Sequence, residues 1–160
     1  MSEMEKLAAE LSQKQAEQEK AKQTAKEQYA LWVASLHELV KSLELWLEPL
    51  SRAGVVKVTH GTKAVSENPS PMTAGSYSAP TLAIEIDAKR INVEPVGRYM
   101  IGSQGVVSIK GVSKEILLGR LVENGVERWL IKNKATRGVS IETQELNEDN
   151  FARILQDFLK

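Results

Sequence analysis

Glu85, Asp87 and Lys89, near the end of a predicted strand, are the residues whose types and spacing come nearest to a catalytic centre. Metal-dependent nucleases hold Mg²⁺ with two carboxylates and use a Lys to position the attacking water or the scissile phosphate. Such a site also needs a carboxylate on a preceding strand and a helix after the Lys. Here Glu67 is the sole acidic residue between residues 51 and 84, and the chain continues as a strand. We therefore favour a solvated, charged strand face and keep a Mg²⁺-dependent nuclease as a distant alternative.

A second candidate site is a cluster of basic residues at the end of a predicted strand near residue 130 and in the segment that follows it. Basic side chains with Trp129 among them could bind a nucleic-acid backbone and stack a base. Because Arg128 and Trp129 are successive strand residues, they should lie on opposite faces, with Trp129 toward the core. Basic and acidic residues balance at 21 each, so no overall field attracts nucleic acid. Nucleic-acid binding is therefore the alternative function, and its candidate contacts are Arg128, Lys132, Lys134 and Arg137.

The other reactive residue types do not form a recognisable site. His37 and His60 are far apart in sequence, and His37 is adjacent to a helix seam position. Residues 102–105, Gly-Ser-Gln-Gly, predict a hairpin turn, since a nucleophile elbow requires a strand before it and a helix after it. The chain has no cysteine, which excludes disulfides, thiolate catalysis and cysteine-bound metals. We expect no catalytic residue, no metal and no cofactor.

The strongest pattern is a heptad repeat through residues 4–50. Residues 2–47 contain neither Gly nor Pro and are rich in good helix formers. We predict one helix of about 70 Å that ends at Glu48 and Pro49, because proline disfavours helical geometry in the preceding residue. Alternating steps of four and three define a seam along the helix. The seam consists of Met4, Ala8, Leu11, Gln15, Gln18, Lys22, Ala25, Tyr29, Trp32, Leu36, Leu39, Leu43, Trp46 and Leu50.

The two halves of this helix differ. Residues 29–50 have a wide apolar stripe, typical of a helix that packs on a core or in a bundle. In residues 1–28 the seam is polar at Gln15, Gln18 and Lys22, with a short apolar cluster near the tip. We predict self-association or docking onto a helix of another protein. The alternative is that the apolar half packs on the chain's own sheet while the polar half is a solvated helix. The predicted interface residues are Met4, Leu11, Tyr29, Trp32, Leu36, Leu39, Leu43 and Trp46.

After residue 50 the sequence predicts an antiparallel sheet of about six short strands. Asn124 and Gly125 are the strongest hairpin signal, and Asn147 is suited to cap a terminal helix. Residues 66–80, with three prolines, predict a loop that could order on a partner. Eight segments are candidates for these strands: residues 55–59, 81–87, 90–96, 98–101, 106–110, 116–122, 126–131 and 139–143.

The predicted fold class is therefore α+β. Residues 1–50 form a long heptad-patterned helix, and residues 51–160 form a small antiparallel β domain with a C-terminal helix. The leading functional hypothesis is a non-catalytic protein–protein interaction module, an oligomeric adaptor or accessory subunit that assembles through its N-terminal helix. Since the N-terminus is polar and no apolar run approaches a membrane span, we expect a cytoplasmic bacterial protein without membrane contact.

Overall fold

The computed structural model describes residues 2–68, 74–98, 104–132 and 144–160. A long helix, a series of strands and a short terminal helix follow one another as predicted, so the α+β fold class is confirmed. The elements are α1 (Glu3–Arg52), β1 (Val56–Glu67), β2 (Gly75–Ile86), β3 (Lys89–Gly97), β4 (Val106–Lys110), β5 (Glu115–Glu123), β6 (Val126–Lys132), β7 (Gln144–Glu145) and α2 (Glu148–Leu159).

The strands form one antiparallel meander in which each pairs with its neighbour in sequence, from β1 to β7. Two of the connections are tight two-residue turns. Asp87 and Ala88 join β2 to β3, Asn124 and Gly125 join β5 to β6, and all four residues have positive φ. Turns of this kind match the right-handed twist of the strands they connect. The Asn-Gly hairpin is therefore confirmed, and local chain reversals determine the order of the sheet.

The β1–β2 hairpin is longer than the sequence predicts. Its ladder runs from Val56 opposite Ile86 to Glu67 opposite Gly75 without interruption. The predicted loop at residues 66–80 is therefore wrong at both ends, although residues 69–73 lie outside the described residues. Pro80 fits within β2 because β3 pairs with β2 only over Leu82–Ile86. At Pro80, β2 therefore pairs with a strand on one side only, as at a sheet edge.

Two other predicted strands fall largely outside the described chain. Arg98 follows the end of β3, while residues 99–101 are not described. The candidate strand at residues 139–143 also lies outside the described residues. Neither prediction is tested there.

Helix α1 continues one turn beyond its predicted end at Pro49. The steric preference against helix before proline is outweighed there by the contacts that close the helix. Gly54, with φ of 72°, donates its N–H to the Ser51 carbonyl at 3.0 Å, and Val55 donates to the Leu50 carbonyl at 3.1 Å. This pair of bonds is the Schellman motif, in which glycine adopts the left-handed conformation without strain. The motif, and not the proline, ends the helix.

A single core lies between one face of the sheet and the two helices. Residues 25–52 of α1, hereafter the docked segment, contribute to it together with α2. Trp46 of α1 contacts Phe151 of α2, with ring centroids 6.0 Å apart. The most completely buried large side chains are Trp32, Leu36, Leu43, Leu47, Leu82, Ile84, Ile91, Val93, Ile109, Val107, Leu118 and Phe151.

This core corrects the predicted interface. The sheet covers the wide apolar stripe of the docked segment, as in the alternative stated above, so five of the eight assigned side chains belong to the intramolecular core. Trp46 is half-buried, whereas Met4 and Leu11 are exposed. The five core residues are Tyr29, Trp32, Leu36, Leu39 and Leu43.

Candidate functional site

The first half of α1 extends away from the domain. Residues 3–24, hereafter the projecting segment, include no buried side chain, and Ala25 is the first buried residue along the helix. At about 1.5 Å per residue, the segment extends about 33 Å. Its large apolar side chains are exposed, at 74% for Met4, 46% for Leu7 and 56% for Leu11. Within the described ranges, no part of the domain covers them.

Local contacts hold the projecting segment in a helix. Ser2 and Glu5 form a capping box, in which each side chain accepts the backbone N–H of the other residue. Side-chain pairs three or four residues apart add about 0.2–0.5 kcal/mol each. These pairs are Lys6 with Glu3, Gln13 with Glu17, Lys22 with Glu19, and Gln23 with Glu27.

The exposed apolar side chains lie on the same side of α1 as the core. With 3.6 residues per turn, Met4, Leu7 and Leu11 project within about 60° of one another. The same sector contains Leu36 and Leu43 of the docked segment, which pack on the sheet. The three side chains, hereafter the tip stripe, therefore continue the docked face beyond the edge of the domain. A partner that covers the stripe must approach on the sheet side of the helix.

A cavity of about 640 Å³ lies where the projecting segment meets the domain. Residues 74–78, at the start of β2, line one side of this helix-base cavity. Its walls combine aromatic and aliphatic groups with two ammonium groups, and its described lining includes no carboxylate and no imidazole. It can accommodate an apolar side chain beside a negative charge, and its described residues supply neither a carboxylate nor an imidazole to act as a base or metal ligand. The helix residues that line it are Lys22, Lys26, Tyr29, Ala30 and Val33.

A polar network borders the cavity through Tyr77. The Tyr77 hydroxyl donates to Glu67 Oε2 at 2.6 Å and accepts the Trp32 Nε1–H at 2.9 Å. Burial, reinforced by the hydrogen bond to Glu67, raises the pKa of Tyr77 well above its usual range, so the phenol remains a donor. Glu67 Oε1 accepts the backbone N–H of Arg98 at 2.7 Å, and Arg98 donates to Gln28 Oε1 at 2.8 Å. The network fastens α1 to β1, β2 and the end of β3.

A second set of contacts orients the helix over the later strands. Ser35 Oγ donates to Glu127 Oε2 at 2.6 Å, and Arg120 Nε donates to the same oxygen at 3.2 Å. The Arg120 guanidinium lies 5.9 Å from the centre of the Trp32 ring, in a cation–π arrangement. The ring of Trp129 is also 5.9 Å from that of Trp32. Because Trp32 is held from several sides, the direction of the projecting segment is set by the domain.

The nuclease residues are not brought together. Asp87 occupies the first position of the β2–β3 turn, so it does not share a regular strand face with Glu85. Glu85 lies 3.6 Å from Arg90, and Lys89 donates to the carbonyl of Leu159 at 2.9 Å. No group of His, Asp and Glu within the described ranges is arranged to hold a metal ion.

The basic candidates do not form a concentrated positive surface in the described chain. Arg128 forms an ion pair with Glu123 at 3.2 Å, and the methylenes of Lys132 lie against Gly119. Trp129 lies on the opposite face, against Trp32, which confirms the predicted orientation. The remaining candidates, Lys134 and Arg137, are outside the described residues.

The two histidines are helix and sheet surface residues. His37 is exposed on the surface of α1. His60 Nε2 lies 2.5 Å from Glu44 Oε1, so it links β1 to α1. The sequence did not indicate the contacts among Tyr77, Glu67 and Arg98, because residues so far apart carry no pattern of spacing. The only nearby sequence feature is the Pro-rich stretch that follows Glu67, and it does not predict these contacts.

Comparisons with protein families, with curated proteins and with solved structures find no match to this chain. Neither helix of the described residues combines the length and apolar character needed to cross a bilayer. The features that bear on function are therefore the projecting segment, with its tip stripe, and the helix-base cavity beside it.

Proposed function

We propose that this protein is a non-catalytic interaction module, an adaptor or accessory subunit, that assembles through the projecting segment of α1. The observation that carries the proposal is the exposure of Met4, Leu7 and Leu11 on the continuation of the docked face. Burial of apolar surface stabilises an assembly by about 25 cal/mol per Å². A helix from a partner, laid along this stripe, gains that stabilisation, whereas a solvated helix does not.

The middle of the projecting segment supports specificity. Gln15 and Gln18 occupy seam positions between the tip stripe and the domain. Polar seam residues of this kind select register and partner at some cost in affinity. The hydrogen bonds around Tyr77 and Trp32 fix α1 on the sheet, so the projecting segment extends from the domain in one direction.

The setting that we propose is the cytoplasm. The chain is free of cysteine, which suits a reducing compartment where disulfides contribute little. The projecting segment is rich in Glu, Lys and Gln, which is typical of a helix exposed to water.

The test compares two matched triple variants of the full chain. The first replaces the tip stripe, with Met4→Gln, Leu7→Gln and Leu11→Gln. The control places glutamines on the opposite side of the same segment, with Ala9→Gln, Ala16→Gln and Lys20→Gln. Glutamine has nearly the helix propensity of Leu and Met, so both variants keep the helix.

Mass by light scattering and capture of cytosolic proteins are then measured for both variants. We expect the stripe variant to lose self-association or its captured partner, and the control to keep it. The proposal fails if the stripe variant and the unmodified chain have the same mass and the same captured proteins.

A further inference from the structure

We propose that the partner is a second copy of this chain, and that two projecting segments pair antiparallel, so that each tip enters the helix-base cavity of the other copy. This inference rests on the proposed function and names its partner. Three features of the described residues carry it: the registers that the seam allows, the charges beside the seam, and the shape of the cavity.

The seam restricts how two copies can align. Antiparallel registers that overlap the whole projecting segment and keep seam against seam differ by seven residues. They place Met4 of one copy opposite Lys22, Tyr29 or Leu36 of the other. The register at Leu36 is blocked, because that side chain is 2% exposed beneath its own sheet and lies outside the helix-base cavity, whereas Tyr29, although only 7% exposed, lines that cavity.

The flanking charges disfavour the register at Lys22. That alignment places Glu5 beside Glu19 of the second copy and places the two Lys14 side chains beside each other. Like charges at flanking positions destabilise a helix pair. It also opposes Leu11 to Gln15, which leaves an apolar group against an amide.

The register at Tyr29 brings compatible side chains together at these positions. Glu5 then lies beside Lys26 of the second copy, which is an attractive pair. Leu11 lies opposite Lys22, whose methylene stem can cover it while the ammonium group reaches water. Gln15 lies opposite Gln18, and two amides can exchange hydrogen bonds.

The cavity is placed to receive the tip in this register. Met4 of one copy arrives where Tyr29, Ala30 and Val33 of the other form the wall. Methionine is unbranched and flexible, so it fills irregular apolar spaces well. The ammonium groups of Lys22 and Lys26 stand beside this space and complement an acidic tip, which carries Glu3, Glu5 and Glu10 against Lys6.

A parallel pair fits less well. It places Lys22 opposite the Lys22 of the second copy within the seam, and it leaves both cavities away from either tip. The antiparallel pair overlaps over residues 4–29, which is about 39 Å of helix. Because the middle of the seam is polar, we expect a dimer that dissociates on dilution, with a Kd on the order of micromolar.

Disulfide trapping tests the arrangement, since the chain has no cysteine of its own. The variant Glu5→Cys/Lys26→Cys changes two exposed residues that are adjacent only between copies. Within one helix these positions are about 31 Å apart, too far for an intramolecular disulfide. Glu5→Cys/Glu19→Cys reports the Lys22 register, and Leu11→Cys alone reports a parallel pair.

We expect a dimer by light scattering and a covalent dimer on mild oxidation of Glu5→Cys/Lys26→Cys alone. Trapping through Glu5→Cys/Glu19→Cys or Leu11→Cys, without trapping through Glu5→Cys/Lys26→Cys, overturns this arrangement and leaves assembly through the helix standing. A monomer at every concentration, with no trapping, overturns the second copy as partner. In that case the proposed function is judged separately, by whether the triple glutamine variant loses a captured protein.

Discussion

His60 and Tyr77 lie on opposite faces of the β1–β2 hairpin, yet both contact the same helix. His60 is directly opposite Leu82 in an uninterrupted ladder, so these two side chains share a face. Tyr77 is five residues from Leu82 along β2, an odd number, so Tyr77 lies on the other face from His60. His60 contacts Glu44 of α1, whereas Tyr77 bonds to Trp32. A two-stranded ribbon twists strongly enough to turn its other face inward over such a length. The hairpin thus wraps along α1 and forms the strand wall of the helix-base cavity.

The Tyr77 hydroxyl should be worth more to stability than an ordinary surface group. Tyr77→Phe removes a donor to Glu67 and the acceptor of the Trp32 Nε1–H, leaving partly buried polar groups without that partner. We expect a loss of about 1–3 kcal/mol in the free energy of unfolding, measured by chemical denaturation. Ser78→Ala, on the same strand but exposed, is the control and should change stability by less than about 0.5 kcal/mol. Equal effects of the two substitutions would contradict the network.

The same hydroxyl should make stability sensitive to alkaline pH. The pKa of Tyr77 is raised in the folded state, so the neutral phenol is favoured there. Its contribution is complete below the unfolded pKa of about 10 and is lost as pH rises through the folded pKa. We expect the unfolding free energy to fall more steeply between about pH 9 and about pH 12 in the unmodified chain than in Tyr77→Phe. Parallel profiles for the two proteins would disprove this linkage.

At one position of the β2–β3 turn, replacement of alanine by glycine should increase the stability of the protein. Ala88 has φ of 61°, in the left-handed region that a Cβ disfavours by about 1–2 kcal/mol. Ala88→Gly removes that strain and costs some entropy in the unfolded chain, so we expect a net gain of about 0.5–1 kcal/mol. Ala53→Gly is the matched control, because Ala53 has φ of −76° and should lose stability. The stability of both variants is measured by thermal denaturation. A lower stability of Ala88→Gly than of the unmodified chain would contradict the left-handed conformation of Ala88.

Gly105 should be intolerant of any side chain. It has φ of 148°, and a Cβ there would overlap the ring of Trp32. We expect Gly105→Ala to lower the unfolding free energy by about 2–4 kcal/mol, because the ring is held on several sides and cannot move away. Gly125→Ala is the control: it has a positive φ of 75° and open space around it, so it reports backbone strain without the clash. A loss no larger than the control's would show that Trp32 can shift.

Reversal of one charge pair should test the antiparallel register without new cysteines. Glu5→Lys and Lys26→Glu each replace an attraction between copies with a repulsion, at two symmetric places in the dimer. We expect each single variant to weaken the dimer about tenfold by analytical ultracentrifugation. The double variant restores the opposite charges and should recover most of the affinity. Independent, additive losses in the double variant would contradict the pairing of these two residues.

Much of the fold is determined by the sequence itself, because its signals are local. The Gly- and Pro-free heptad stretch dictates α1, Asn124 and Gly125 dictate a tight turn, and Asn147 caps α2 by accepting the Asn150 N–H at 2.8 Å. Each of these depends on residues within a few positions of one another. The turn at Asp87 and Ala88 carries no such sequence signal, because alanine is not a residue that left-handed geometry favours.

Only the tertiary structure decided what the seam of α1 does. Its apolar half has the same pattern whether a sheet or a second helix covers it, since spacing records which side is apolar and not what packs there. The sheet that covers it begins at Val56, so that Trp32 and Leu43 lie inside the chain's own core. What remains exposed is the tip stripe, Met4, Leu7 and Leu11, because the sheet is too short to reach the first 24 residues of so long a helix.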